Sequence, residues 1–219
     1  PAFFYRTGTH LDNWLNFSLT VFWLITLTNA FNFIDSIDGL ALGISAFSTT
    51  FFLVMSISTG QEDLVYFCAI LLGVCIGLYF FNAYPAKLFL GDSGAQILGF
   101  ILATLAILFR PGSGLQSSTW FAPVLLFYVP LFDLVLVIVS RLKRKKRIYE
   151  ASNDHTYHRL VLKGFSKQHA VLFLHGVCLF MSMIGYLCLN LSSLNANIIF
   201  SLSILLGVFA IIELEKKFN

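Results

Sequence analysis

Residues 29–58 read NAFNFIDSIDGLALGISAFSTTFFLVMSIS, and the change of character at residue 39 decides the fold. From 40 to 58 the stretch carries no charge, and as a helix it is long enough to cross the ~30 Å of a bilayer's hydrocarbon. Just before it, Asn32, Asp35 and Asp38 recur every third residue and stop at Gly39. Carboxylates at the edge of a bilayer are costly unless a metal ion or a polar substrate compensates them. An enzyme or a transporter is therefore favoured over a passive scaffold.

The rest of the chain repeats this contrast. Of 219 residues 58% are hydrophobic, 24 are Phe and only 11% are charged, with a mean hydropathy of +0.82. That composition points to an integral membrane protein. Apolar runs at 14–31, 40–58, 64–81, 95–109, 119–140, 169–190 and 196–212 predict about seven spans. They are continuous and lack the alternation of a membrane barrel. The expected fold is an all-α polytopic bundle, one membrane domain over residues 1–219. Pro123 and Pro130 fall inside the fifth run and predict a kink there.

Charge sets the expected orientation. With seven crossings, the loops near 32–39, 82–94 and 141–168 share a side with the C-terminus. That side holds twelve of the fourteen Lys and Arg residues, Arg6 and Arg110 being the exceptions. Positive residues favour the cytoplasm, so these loops and the C-terminus are expected inside and the N-terminus outside. The run RLKRKKR at 141–147 reads as an anchor near anionic headgroups. The four cysteines lie in apolar spans without CxxC spacing and read as small buried hydrophobes. His10, His169 and His175 read as structural.

Three polar segments on that side could carry chemistry. On a helix, Asn32, Asp35 and Asp38 would keep to one side, an oxygen-rich set suited to magnesium, which shares its shell with phosphates. The plainer alternative is that Asp35 or Asp38 caps the next helix. The second segment, FNAYPAKLFLGDSG at 81–94, breaks its helix at Pro85 and Gly91. It sets Asp92 before a new helix and leaves Phe89 available to stack on a base. The third, NDHTYHR at 153–159, spaces His155 and His158 to share a helical face. With Arg159 they could donate to phosphate. Asp133, inside the fifth run, is either satisfied by another helix or part of the site.

Taken together, NAFNFIDSIDGL at 29–40, NAYPAKLFLGDSG at 82–94, VPLFD at 129–133 and DHTYHRL at 154–160 resemble the polyprenyl-phosphate N-acetylhexosamine-1-phosphate transferases. The motifs follow the family's order along essentially the whole chain. The resemblance implies transfer of a sugar 1-phosphate, N-acetylglucosamine 1-phosphate by preference, from a UDP-sugar to a polyprenyl phosphate, with release of UMP. It implies a multi-pass protein of the bacterial inner membrane with a cytoplasmic active site. A homodimer is compatible with it, and nucleic acid is not a partner. By the match, Asp92 and then Asp35 ligate Mg2+, with Mn2+ as a substitute. Asp35, Asp92, His155 and His158 are the catalytic set. Asn32, Asp38 and Phe89 form the uridine side, Gly91 is a further substrate-binding residue, Lys87 approaches the diphosphate, and Arg159 contacts phosphate or sugar.

Two departures qualify the match. The family carries adjacent aspartates in an earlier loop, and this sequence has no Asp-Asp; a truncated chain lacking part of the metal site is the expectation. Tyr157 also stands where relatives often have another His. The alternatives are the phospho-N-acetylmuramoyl-pentapeptide transferase of peptidoglycan synthesis, a secondary transporter, and an inactive lipid-binding remnant. A transporter would place its acids deep in the spans and show internal repeats, which this chain does not.

Overall fold

A computed structural model describes residues 10–110, 121–145 and 154–216, with side chains described from residue 14. All secondary structure among these residues is helical. The helices are α1 His10–Ile34, α2 Leu40–Ser58, α3 Glu62–Asn82, α4 Gly91–Leu108, α5 Ala122–Leu126, α6 Tyr128–Lys143, α7 Thr156–Leu162, α8 Lys167–Cys188 and α9 Ser193–Lys216. In hydrocarbon each backbone polar group must be satisfied within its own segment, and helices do this for an uninterrupted apolar run.

Six helices, α1 to α4, α8 and α9, are long and apolar enough to cross a membrane. The expected fifth span is the exception. It divides at Phe127 into α5 and α6. Pro123 and Pro130 each fall in the first turn of their helix, where a missing N–H breaks no intrahelical bond. Two prolines seven residues apart thus start two helices rather than kink one.

Short turns hold neighbours together. Gly60, at φ 68°, ends α2 in a left-handed cap, and the Gln61 N–H returns to the Ser56 carbonyl at 2.9 Å. The Gln61 side chain then donates to the Arg110 carbonyl and accepts from the Arg110 N–H, at 2.8 and 2.9 Å. This pins the α2–α3 turn to the end of α4. In the core, α1 packs on α4, and α2 lies between α3 and α8. The His175 ring fills the space left by Gly43, so its structural reading holds. The four cysteines are buried and free. Outward faces such as Tyr66, Ile70 and Phe80 on α3 or Leu205 and Phe209 on α9 are exposed, as suits helices solvated by acyl chains.

The α1–α4 contact depends on Gly99. A methyl group there would meet the Leu27 carbonyl oxygen at 2.8 Å and the Thr28 Cα at 2.9 Å, both backbone. Gly99→Ala is expected to destabilise the bundle by about 1–3 kcal/mol, the usual scale for overpacking. A thermal melt in detergent reads this directly, and an unchanged midpoint would refute the contact.

Candidate functional site

The first two polar segments meet where α1 ends and α4 begins. Only Asn32 lies in α1; residues 35–39 form turns, so the single helical face expected for Asn32, Asp35 and Asp38 is broken. The reason is Gly39, at φ 78°, which the chain uses to swing into α2. A Cβ there would lie 3.3 Å from the Tyr79 ring and 3.4 Å from the Ala83 Cα. This turn brings Asp38 to the second segment, where its Oδ2 accepts the Ala86 N–H at 3.1 Å.

Asn82 makes the junction. Its Oδ1 accepts the Gly39 N–H at 3.0 Å and its Nδ2 donates to the Leu88 carbonyl at 2.8 Å. An amide can do both at once, so one buried side chain binds the first segment to the second. The Lys87 and Leu88 N–H groups fold the loop back onto the Phe81 carbonyl at 2.7 and 3.0 Å. Lys87 and Phe89 are left exposed, Phe89 at 72%. Asn82 lay inside a motif legible in the sequence, but nothing in the string separated it from its neighbours. Asn82→Ala leaves the Gly39 donor without this acceptor and is expected to lower stability by about 1–3 kcal/mol. Loosening should appear as faster amide exchange in both 35–39 and 83–90; a change in one segment alone would contradict the bridging role.

Gly91, at φ 64°, turns the chain into α4 and puts Asp92, exposed, in its first turn. An acid there also suits the helix dipole. Asp35 reports that Asp92 is close: burial, and then the charge of Asp92, push its carboxyl up to about 6. Acids from two distant motifs therefore share one field and repel one another.

The third segment is anchored by Asp133. This buried carboxylate of α6 accepts the N–H and the hydroxyl of Thr156 at one oxygen, each at 2.6 Å, and meets His155 Nδ1 at the other, at 2.8 Å. Of the two readings left open for Asp133, the structure shows the first: residues at the start of α7 satisfy it. The His155 ring lies 5.8 Å from that of Phe33 and 6.2 Å from that of His158. Tyr157 and His158 share a hydrogen bond of 2.7 Å, and Tyr157 also reaches Ser36. Burial, and then the charge of His155, hold His158 below the ordinary imidazole range. The first segment thus touches both of the others.

Arg159 does not join them. It is 2% exposed, with Nη1 on Glu215 Oε1 at 2.5 Å and Nε on the Asp154 carbonyl at 3.0 Å. Its guanidinium reaches the end of α9, a tie that the sequence reading of a phosphate or sugar contact did not include. The basic run is also more than an anchor: Arg141 is buried, and Arg144 pairs with Asp154 at 2.6 Å. Residues 146, 147 and 153 lie outside the described residues.

Among the described residues no cluster of three or more His, Cys, Asp or Glu side chains forms a metal cage. Asp35 and Asp92 carry oxygen donors, the kind a hard cation takes. Two hollows flank the site. A cavity of about 250 Å³ is lined by Asp38, Tyr79, Tyr84 and Lys167. A groove of about 640 Å³, walled by Phe132, Leu160, Phe173 and Leu206, runs up to Thr156 beside His155.

The sequence model of Glycosyl transferase family 4 matches residues 1–110. A probable undecaprenyl-phosphate N-acetylglucosaminyl 1-phosphate transferase of Bacillus subtilis is 33% identical over 90% of this chain and 52% of its own length. The phospho-N-acetylmuramoyl-pentapeptide-transferase of Moorella thermoacetica is 31% identical over 84% of the chain and 56% of its own. That of Staphylococcus aureus is 33% identical over 75% and 49%. The chain spans about half the length of the curated relatives it matches.

Proposed function

This chain belongs to Glycosyl transferase family 4, and on that footing we propose that it carries most of the active site of a UDP-sugar:polyprenyl-phosphate sugar-1-phosphate transferase. The observation that carries the reading is that the three motifs meet: Asp38 and Gly39 bond to the second segment, and Phe33 lies against His155, which Asp133 holds. N-acetylglucosamine 1-phosphate is the group transferred, as the name of the Bacillus subtilis relative suggests. The work is done at the cytoplasmic face of a bacterial inner membrane.

In the reaction an acceptor phosphate oxygen forms a bond to the sugar-bearing phosphorus of the UDP-sugar. The bond between that phosphorus and the bridging oxygen breaks, and UMP leaves with that oxygen. The nucleophile is already anionic, so the barrier is chiefly repulsion between phosphates, and catalysis is positioning plus charge relief. Asp35 and Asp92 would hold magnesium, or manganese in its place, and the ion when bound supplies that relief. Asn32, Asp38 and Phe89 take the uridine side, with the exposed Phe89 ring free to stack, and Gly91 is a further substrate-binding residue. Lys87 reaches toward the diphosphate. His155, with Nδ1 engaged by Asp133, keeps Nε2 for a phosphate oxygen, and His158 stands next to it. The apolar groove beside Thr156 suits an isoprenoid chain.

Magnesium-dependent release of UMP from UDP-N-acetylglucosamine by the full-length protein, given polyprenyl phosphate, tests the reading. No release from any UDP-N-acetylhexosamine would sink it. The muramoyl-pentapeptide alternative is kept by the names of two of the relatives. It predicts turnover of UDP-N-acetylmuramoyl-pentapeptide alone.

A further inference from the structure

The last helix ends on a buried charge that its own packing does not call for. Only 17% of the apolar stretch of α9 is buried, and Leu194, Leu202 and Phe209 are exposed along it. Glu215, at its end, is 1% exposed. Its Oε1 takes Arg159 Nη1 at 2.5 Å, and its Oε2 lies 3.8 Å from Lys143 Nζ. Arg159 in turn donates through Nε to the carbonyl of Asp154 at 3.0 Å. The Asp154 carboxylate holds Arg144 at 2.6 Å. A single guanidinium therefore links Glu215 to both ends of the segment that carries His155 and His158.

Burying such a pair is a poor way to gain stability, because desolvation offsets the attraction, and apolar side chains of like volume often serve as well. What the pair adds is direction. A guanidinium fixed by a carboxylate on one side and a carbonyl on the other sets the angle and height of α7, which has only seven residues. Asp133 holds the start of that helix from α6; Glu215 holds its middle from α9.

We propose that Glu215 is a positioning residue, acting through Arg159 to aim His155 and His158 at the Asp35–Asp92 end of the bundle. The proposal rests on the transferase reading for its catalytic consequence, but its structural content can be read without turnover. In full-length protein, Glu215→Gln is expected to lower kcat about tenfold while KM for UDP-N-acetylglucosamine stays within about twofold, the pattern of lost alignment rather than lost binding. The apolar pair Arg159→Met with Glu215→Leu should keep the wild-type thermal midpoint yet show the same loss in kcat. Without substrate, carbethoxylation of His155 and His158, followed by mass spectrometry, should speed up several-fold in both variants.

Wild-type kcat together with unchanged labelling in the apolar pair would overturn the proposal. So would failure of both variants to fold, since the pair would then hold the bundle rather than aim the loop. Should wild-type protein turn over no UDP-N-acetylhexosamine, the transferase reading fails by itself, and labelling alone decides whether Glu215 sets the loop.

Discussion

Asp92→Asn in the full-length protein is expected to lower kcat by at least about a thousandfold, the upper range for removing one preorganised electrostatic group. The substitution keeps the size of the side chain and removes its charge. Asp92 is exposed in the first turn of α4, so its loss there takes away no more than about 1 kcal/mol of dipole stabilisation, and the bundle should stay folded. The effect should fall on catalysis and on magnesium dependence together, because one carboxylate of the repelling pair is gone. The magnesium concentration for half-maximal rate should rise as well. Turnover within tenfold of wild type, at any magnesium concentration, would remove Asp92 from the site. An Asp35→Asn variant sharpens the comparison: if the two acids serve one ion, the double variant is little worse than either single one.

The parts of this molecule legible from the string are those set by local chemistry. Helix α2 begins and ends where the sequence predicts, because Gly39 closes the polar segment and Gly60 supplies the left-handed cap. The acids stood out since nothing apolar excuses them. The division of α5 from α6 needed more: two prolines signal a disturbance, but whether it becomes a kink or a break depends on neighbours. Partners were the illegible part. Asp133 stood alone in an apolar run and Arg159 belonged to the third motif, yet one holds His155 and the other a glutamate fifty-six residues on. Glu215 carried no signal at all in ELEKK, where a solvated helix end is the plain reading. Pairing across helices is a tertiary fact, and no periodicity encodes it.

Asp133→Asn isolates the role of orientation. In the native protein one carboxylate oxygen accepts both Thr156 donors and the other faces His155 Nδ1. An asparagine can keep its oxygen toward Thr156, so α7 retains its anchor and the thermal midpoint should change little. Its amide nitrogen then faces the imidazole with a donor where an acceptor stood, which makes Nδ1 the acceptor and places the neutral ring's proton on Nε2. With Nδ1 accepting, the neutral ring carries its proton on Nε2, but it has lost the carboxylate that orients it beside a phosphate. The expected loss in kcat is about a hundredfold, in the range for a positioned acid–base group. Asp133→Ala, which also releases both Thr156 donors, should lose stability as well as rate. In a His155→Ala background the Asp133→Asn change should have almost no further effect on kcat. A full hundredfold loss in that background would show that Asp133 acts by some route other than His155.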